Sequence, residues 1–441
     1  MTRREFLGAI AAAGAAAQIP DRSDFTLRIG PVTFDLAPKK TIKTIGYNGQ
    51  VPGPLLRMPE GKPVTIDIFN DTADPEIVHW HGLRIPSEMD GAMEEGSPMI
   101  APRGHQRVTF TPAPHGTRWY HTHTMAGRNL NKASYTGQFG FLYIDPKSPD
   151  PGQYDQEIFL AMHEWDPYMT TGNDDEASMD AAYKAYSINS HALGSGEPVR
   201  VKQGQRVMLR ILNASATEHR RIAFAGHKFR VTAMDGNPVA TQATVEALEL
   251  GPAERIDATV EMNQPGIWIL GATVDHDRTL GMGIVFEYAD QTGPPRWIAP
   301  SIEPWDYKLF GKAPQAPENI ETIPLVFKKV FAGHRWVDKW SINGKQWPKP
   351  SPIRLKPNNR YRLIFDNQSD EAHPVHLHRH TFELTKIEGA ATSGVFKDVV
   401  VVQPMTQIEA DFTADNPGKT LFHCHQQMHM DYGFMTLLTY V

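Results

Sequence analysis

The chain has 441 residues, room for about three domains at roughly 150 residues each. Hydrophobic residues make up 40% and charged residues 21%, a globular composition that excludes a disordered or membrane-embedded chain. The net charge of −6 leaves no basic footprint for nucleic acid or an anionic membrane, and a single cysteine excludes an internal disulfide.

The first residues read as an export signal. Arg3-Arg4 precede an apolar, alanine-rich run over residues 8–17, far shorter than the ~20 residues of a membrane span. Ala15-Ala16-Ala17 then supply the small residues of a cleavage site before Gln18. The pattern is that of a twin-arginine signal over residues 1–19, which predicts export to the periplasm and no membrane attachment after cleavage. In an exported chain a lone thiol needs a chemical role.

Residues 25–36 alternate as a strand, and one pattern then occurs three times. Arg57-Met58-Pro59-Glu60-Gly61 leads into an alternating run ending at Asn70. Arg200-Val201-Lys202-Gln203-Gly204 does the same to Asn213, and Arg354-Leu355-Lys356-Pro357-Asn358 to Asn367. The arginines are 143 and 154 residues apart, one domain length each. Each copy reads as a short strand, a turn whose Gly or Asn takes positive φ readily, and a second strand. The prediction is all-β: three sandwiches over residues 20–147, 148–292 and 325–441, with a proline-rich connector over 293–324.

Nineteen histidines form five His-x-His pairs, 79/81, 121/123, 376/378, 378/380 and 423/425, where chance gives roughly 0.8. On a strand such a pair projects to one face, which suits a metal cluster. The repeats select among them. Nine and eleven residues past the repeat asparagine stand His79 and His81 in the first copy and His376 and His378 in the third, but Ile222 and Phe224 in the second. Five and seven residues past a glycine stand His121 and His123, then His423 and His425, but Gly271 and Thr273 in the second copy. Eight imidazoles from two homologous domains converge only at the interface between those domains, as a shared multinuclear site for copper, zinc, iron or nickel. His380 has a counterpart, His227, in the domain without such pairs, and is read as structural, as is His219.

Cys424 stands between His423 and His425, so on a strand it faces away from the shared cluster and requires a second site. His429 and His373 are its nearest candidates in sequence, and a His-His-Cys set with a weak or absent axial ligand is the blue-copper arrangement. Ten residues past the cysteine is Phe434, with Met435 as the competing axial residue if the turn shifts by one.

His79-Trp80-His81-Gly82, Trp119-Tyr120-His121-Thr122-His123, His373-Pro374-Val375-His376-Leu377-His378 and His423-Cys424-His425 with His429 resemble, in order, the four copper motifs of the multicopper oxidases, most closely the three-domain laccase-like members exported by bacteria. The resemblance implies three cupredoxin-like Greek-key sandwiches holding four copper ions. His373, Cys424 and His429 would hold the type 1 copper, and His79 and His376 the type 2 copper. His81, His121, His123, His378, His423 and His425 would hold the type 3 pair. Asp90 matches the acidic residue that the family uses in proton delivery. Two departures stand out: Phe434 occupies a position where many bacterial members have a thioether, and Met430 follows His429 where some have a glutamate.

The expected activity is one-electron oxidation of phenolic or other aromatic donors coupled to reduction of dioxygen to water, by a monomer. Met89, Met93, Met99, Met428 and Met430 leave open a metallo-oxidase for Cu(I) or Fe(II), since thioethers suit Cu(I). A copper-free scaffold of the same fold is the third reading, opposed by the complete ligand inventory. The segments His163-Glu164-Trp165 and Asp431-Tyr432 are candidates for the mouth of the donor site.

Overall fold

The computed structural model describes residues 22–148, 153–171, 179–301, 303–314, 320–333 and 336–441; the segment read as an export signal lies outside them. The first repeat shows how the sequence builds a sandwich. Its leading strand, Gly53–Pro59, belongs to one four-stranded sheet, and its second, Val64–Asn70, to the other. Gly61, at φ 76°, carries the chain across between the sheets, and Gly204 (83°) and Asn358 (63°) do so in the other two repeats.

The same pairing scheme follows each time. The strand that opens each sandwich runs parallel to the second repeat strand: Phe25 beside Ile66, Gln156 beside Val207, and Glu321 beside Tyr361. The leading repeat strand runs parallel to the closing strand, with Arg57 beside Tyr143, Arg200 beside Glu287, and Arg354 beside Thr439. Parallel neighbours that are distant in sequence require crossover connections between the two sheets, which makes each unit a Greek-key sandwich of cupredoxin-like topology. The sheets have four and four strands in the first unit, seven and five in the second, and six and five in the third.

Burial explains the alternation. In the first unit Leu27, Ile66 and Val108 from one sheet meet Leu56, Trp80 and Leu142 from the other. Each such side chain contributes about 1.5–3 kcal/mol. The second and third units share one continuous core, and Trp119, Leu212 and Val399, one from each unit, meet in a smaller cluster where all three join. The segment before the third unit is anchored as well: Phe310 is fully buried and Tyr307 donates to Glu254 at 2.6 Å.

The repeat asparagines have one shared task. Asn213 donates to the carbonyls of Glu218 and Leu250 at 2.8 and 2.9 Å and accepts from the Ser215 amide at 3.1 Å. Asn70 bridges Asp74, Ile100 and Thr72 in the same way, and Asn367 bridges Glu371, Val402 and Ser369. A buried amide that satisfies three main-chain groups is costly to lose. Asn213→Ala, in the sandwich that contributes none of the proposed ligands, is expected to lower unfolding stability by roughly 3 kcal/mol in urea titration; a loss below about 1 kcal/mol would show that water replaces the amide.

Candidate metal centre

Strand Val78–His81 lies antiparallel to Gly116–Thr122 with His79 opposite His121. Strand His373–Leu377 lies antiparallel to Lys419–Cys424 with His376 opposite His423. Alternate strand residues share a face, so His79 and His81 project together while Trp80 enters the core behind them. The two histidine-bearing ladders abut across the boundary between the first and third sandwiches. His81 stacks on His376 with ring centroids 3.8 Å apart, and His79 on His378 at 4.1 Å.

Ligand atoms within 4.8 Å of one another form the sets His79, His81, His376; His81, His121, His425; and His123, His378, His423. Burial, with the neighbouring imidazoles, pushes His81, His121, His378, His423 and His425 well below the ordinary imidazole range. Burial likewise holds His123 and His376 at about 3. The rings are therefore neutral and metal-competent across the physiological range.

Hydrogen bonds on the outside of the cluster choose which nitrogen faces inward. His79 and His376 donate through Nδ1 to the main-chain oxygens of Asp90 and Asp398 at 2.8 and 2.7 Å, which leaves both Nε2 atoms buried and unpartnered inside. His121 and His423 bond through Nδ1 to the Thr122 and Cys424 carbonyls, and His378 through Nδ1 to Asp90 Oδ2 at 2.8 Å. His81 is reversed. Its Nε2 donates to Asp398 Oδ1 at 3.0 Å, and its Nδ1 lies 3.4 Å from His121 Nε2.

Cys424 projects to the opposite face of its strand. Its Sγ lies 3.7 Å from His373 Nδ1 and 3.5 Å from His429 Nδ1, which are 3.1 Å from each other. Burial pushes the thiol up, so metal binding there must displace its proton. The Phe434 ring stands 4.8 Å from the His373 ring, whereas Met435, opposite His423, packs with Ala92, Leu421 and Met430 on the other side.

The second sandwich carries no such set among its described residues. Ile222 there pairs with Ala272, one residue beyond the Gly271 given by counting from Gly266, so the strand register differs by one without adding a ligand. His227 and His380 are matched structural residues: each bonds through Nδ1 to the carbonyl two residues earlier and through Nε2 to a tyrosine hydroxyl, Tyr288 or Tyr440. His219 lies 3.3 Å from the Gln426 amide nitrogen, beside the short helix that bears His429.

Asp90 is fully buried and touches two cluster rings, its carboxylate lying 2.8 Å from His378 Nδ1 and 3.2 Å from His79 Nδ1. Three further carboxylates carry no sequence signal. Glu95 accepts from the Leu421 amide at 2.6 Å and lies 3.6 Å from His378 Nδ1, while burial next to Asp90 pushes its carboxyl well up. Asp398 holds His81. Glu371 lies 3.1 Å from His429 Nε2; burial raises its carboxyl, but the His429 hydrogen bond and the Lys329 ammonium outweigh it and hold it at about 2.

The first candidate mouth segment lies elsewhere. His163, Glu164 and Trp165 are buried where the second sandwich meets the first, bonded to the Ala214 carbonyl, Arg220 and Ser187, with Phe139 against His163 and Phe34 against Trp165. Asp431 accepts from the amides of Ala126 and Gly127 at 2.9 and 2.7 Å and so ties the third sandwich to the first. The surface pocket at His429 is instead lined by Met179, Asp180, Lys329, Asp338, Glu371 and Met428 and measures about 180 Å³.

Family models described as multicopper oxidase match residues 29–149, 160–286 and 322–441. Multicopper oxidase MmcO of Mycobacterium tuberculosis is 31% identical over 94% of this chain and 86% of its own. The chain belongs to the multicopper oxidase family. This oxidase is also 25% identical to Laccase-2 of Fomitopsis schrenkii, over 90% of this chain and 87% of that one. It superposes on the multi-copper oxidase of Pseudomonas thermotolerans with a TM-score of 0.73, covering 95% and 100% of the two chains at 24% identity. The donor set of the oxidase fits copper: imidazoles with buried, unpartnered nitrogens in one cluster, and a thiol with two imidazoles in the other.

Proposed function

We propose that this multicopper oxidase is laccase-like and couples one-electron oxidation of phenolic or related aromatic donors to reduction of dioxygen to water, with four copper ions per chain. His373, Cys424 and His429 would hold type 1 copper beside a non-coordinating Phe434, and His79 and His376 type 2 copper. His81, His121, His123, His378, His423 and His425 would hold the type 3 pair. Bound copper supplies single-electron transfer at the first site and four-electron reduction of dioxygen to two waters at the cluster.

The observation that carries the reading is the opposed projection of Cys424 and its two neighbours, which joins both ligand sets through consecutive peptide bonds at the end of one strand. Because the Phe434 ring offers no donor atom, the sulfur site would favour the reduced metal and a high potential. Asp90 stands where a proton at His378 Nδ1 can be held or passed. Copper analysis with oxygen uptake on a donor panel tests the assignment: four copper ions and rapid phenol turnover are expected, and one ion per chain overturns it.

Lys329 Nζ lies 2.6 Å from Glu371 and 3.4 Å from Asp338 and offsets part of the negative charge that Glu371, Asp338 and Asp180 bring to the donor pocket. Trp336, 59% exposed, is joined to this rim through its carbonyl, which accepts from the Met179 amide at 3.0 Å. Glu371 is placed to accept a phenolic proton as the electron leaves. Glu371→Gln is expected to lower kcat/KM for a phenol roughly 10–100-fold with the blue absorption intact. The thioethers of Met179 and Met428 in the same pocket favour Cu(I) oxidation as the second reading. Loss of Cu(I) turnover with phenol turnover unchanged in that variant would place it first. Export to the periplasm belongs to the same proposal, since dioxygen, copper and small donors all meet there.

A further inference from the structure

None of the proposed ligands comes from the second sandwich, yet its Asp235-Gly236 turn enters the joint between the other two. The turn links strands Phe229–Met234 and Asn237–Pro238, and both of its residues take positive φ, 46° and 71°. It fits against the first sandwich without clearance: a Cβ on Gly116 would lie 2.0 Å from the Gly236 carbonyl, and one on Gly236 would lie 2.5 Å from the Thr117 carbonyl. On its other side Asp235 Oδ2 accepts from the main-chain amides of Asp398 and Val399, at 3.2 and 3.1 Å, in the third sandwich.

Arg255 completes the contact. Its guanidinium grips Asp398 bidentately, at 2.7 Å to each oxygen, while its own amide donates to Asp235 Oδ1 at 3.0 Å. Asp398 in turn bonds one ring from each ligand-bearing sandwich, His81 through its carboxylate and His376 through its main-chain oxygen. Gly82 keeps the space open, since a Cβ there would meet Asp398 Oδ2 at 2.7 Å and Arg255 Nη2 at 2.8 Å. A two-point fork-to-carboxylate pair fixes the carboxylate against the guanidinium plane, so Arg255, with Arg118 Nη1 3.5 Å from Oδ2, sets where the Asp398 oxygens point.

We propose that Arg255 and the Asp235-Gly236 turn are positioning residues for the three-site cluster: they aim Asp398 so that it captures His81 Nε2 and turns Nδ1 inward. The copper-free sandwich thereby sets both the ring orientation of one ligand and the register of the first sandwich against the third. This rests on the copper reading above for its metal consequences, but the ring orientation itself is a property of the protein without metal.

Two measurements separate those levels. In copper-free protein labelled with 15N-histidine, the His81 ring is expected to carry its proton on Nε2 with Nδ1 bare; a proton on Nδ1 overturns the proposal without recourse to any variant. Arg255→Lys, which keeps the charge and loses the fork, is expected to retain the blue absorption. The same variant should lose the near-ultraviolet absorption of a coupled copper pair and bind copper at the cluster about 10–100-fold more weakly. Gly236→Ala, which forces the turn away from Thr117, is expected to give the same selective loss. Arg210→Lys is the control: that arginine is another buried tie between the first two sandwiches, bonded to Asp257 at 2.6 Å and Thr117 at 3.2 Å rather than to Asp398, and all copper signals should survive. Unaltered cluster signals in both Arg255→Lys and Gly236→Ala, or loss of the blue absorption in step with the cluster, would reduce these residues to general structural ties. A wild-type protein lacking blue absorption altogether would defeat the copper reading instead.

Discussion

Cys424→Ser is expected to abolish the blue absorption, reduce phenol oxidation to background and lower the copper content by one ion per chain. The reason is donor chemistry rather than packing. Serine keeps the size of the side chain and the main-chain bond from residue 424 to the Phe434 carbonyl at 3.1 Å, so the strand persists. A neutral hydroxyl does not replace a thiolate as a soft ligand, and His373 and His429 alone form an incomplete site. The cluster histidines on either side project to the opposite face and should retain their metal, so the variant separates the two sites by stoichiometry. Blue colour in the purified variant would show that the type 1 assignment is wrong.

Asp90→Ala is expected to leave the blue absorption unchanged and slow dioxygen consumption by about 100-fold or more, the range for loss of a positioned proton-transfer group. Its carboxylate is the buried acid in contact with both His79 and His378, and its main-chain oxygen, which fixes the His79 ring, survives the substitution. Asp90→Asn discriminates further. The amide oxygen still accepts from His378 Nδ1 but carries no titratable proton, so a slow asparagine variant with full copper content assigns proton transfer, and a fast one assigns positioning. Oxygen uptake by the alanine variant at the wild-type rate with normal copper removes Asp90 from the scheme.

The eleven proposed ligands were legible because their signals are local. Period-two spacing on a strand decides which side chains share a face, and internal repetition distinguishes His380, matched by His227, from its neighbours. The asparagine and glycine landmarks marked the repeats because each answers a main-chain requirement that recurs in every sandwich. Counting from landmarks failed where the strand length differed, as at Ala272 opposite Ile222. The placement of His163, Glu164 and Trp165 at a mouth failed for another reason: no local property distinguishes a buried polar strand facing a domain joint from one facing solvent.

Residue order and spacing alone thus determined three repeated sandwiches, two of them equipped with imidazole pairs, and a thiol facing away from those pairs. What the tertiary structure decided is everything that depends on contacts between units: the abutment of His81 on His376, the choice of Nδ1 or Nε2 at each ring, and the acidic partners Glu95, Glu371 and Asp398. Asp398 lies 317 residues from His81 and 143 from Arg255 along the chain. Such a contact leaves no periodicity or spacing in the sequence, because it arises only when separately folded sandwiches bury their polar faces together and each buried charge must find its partner.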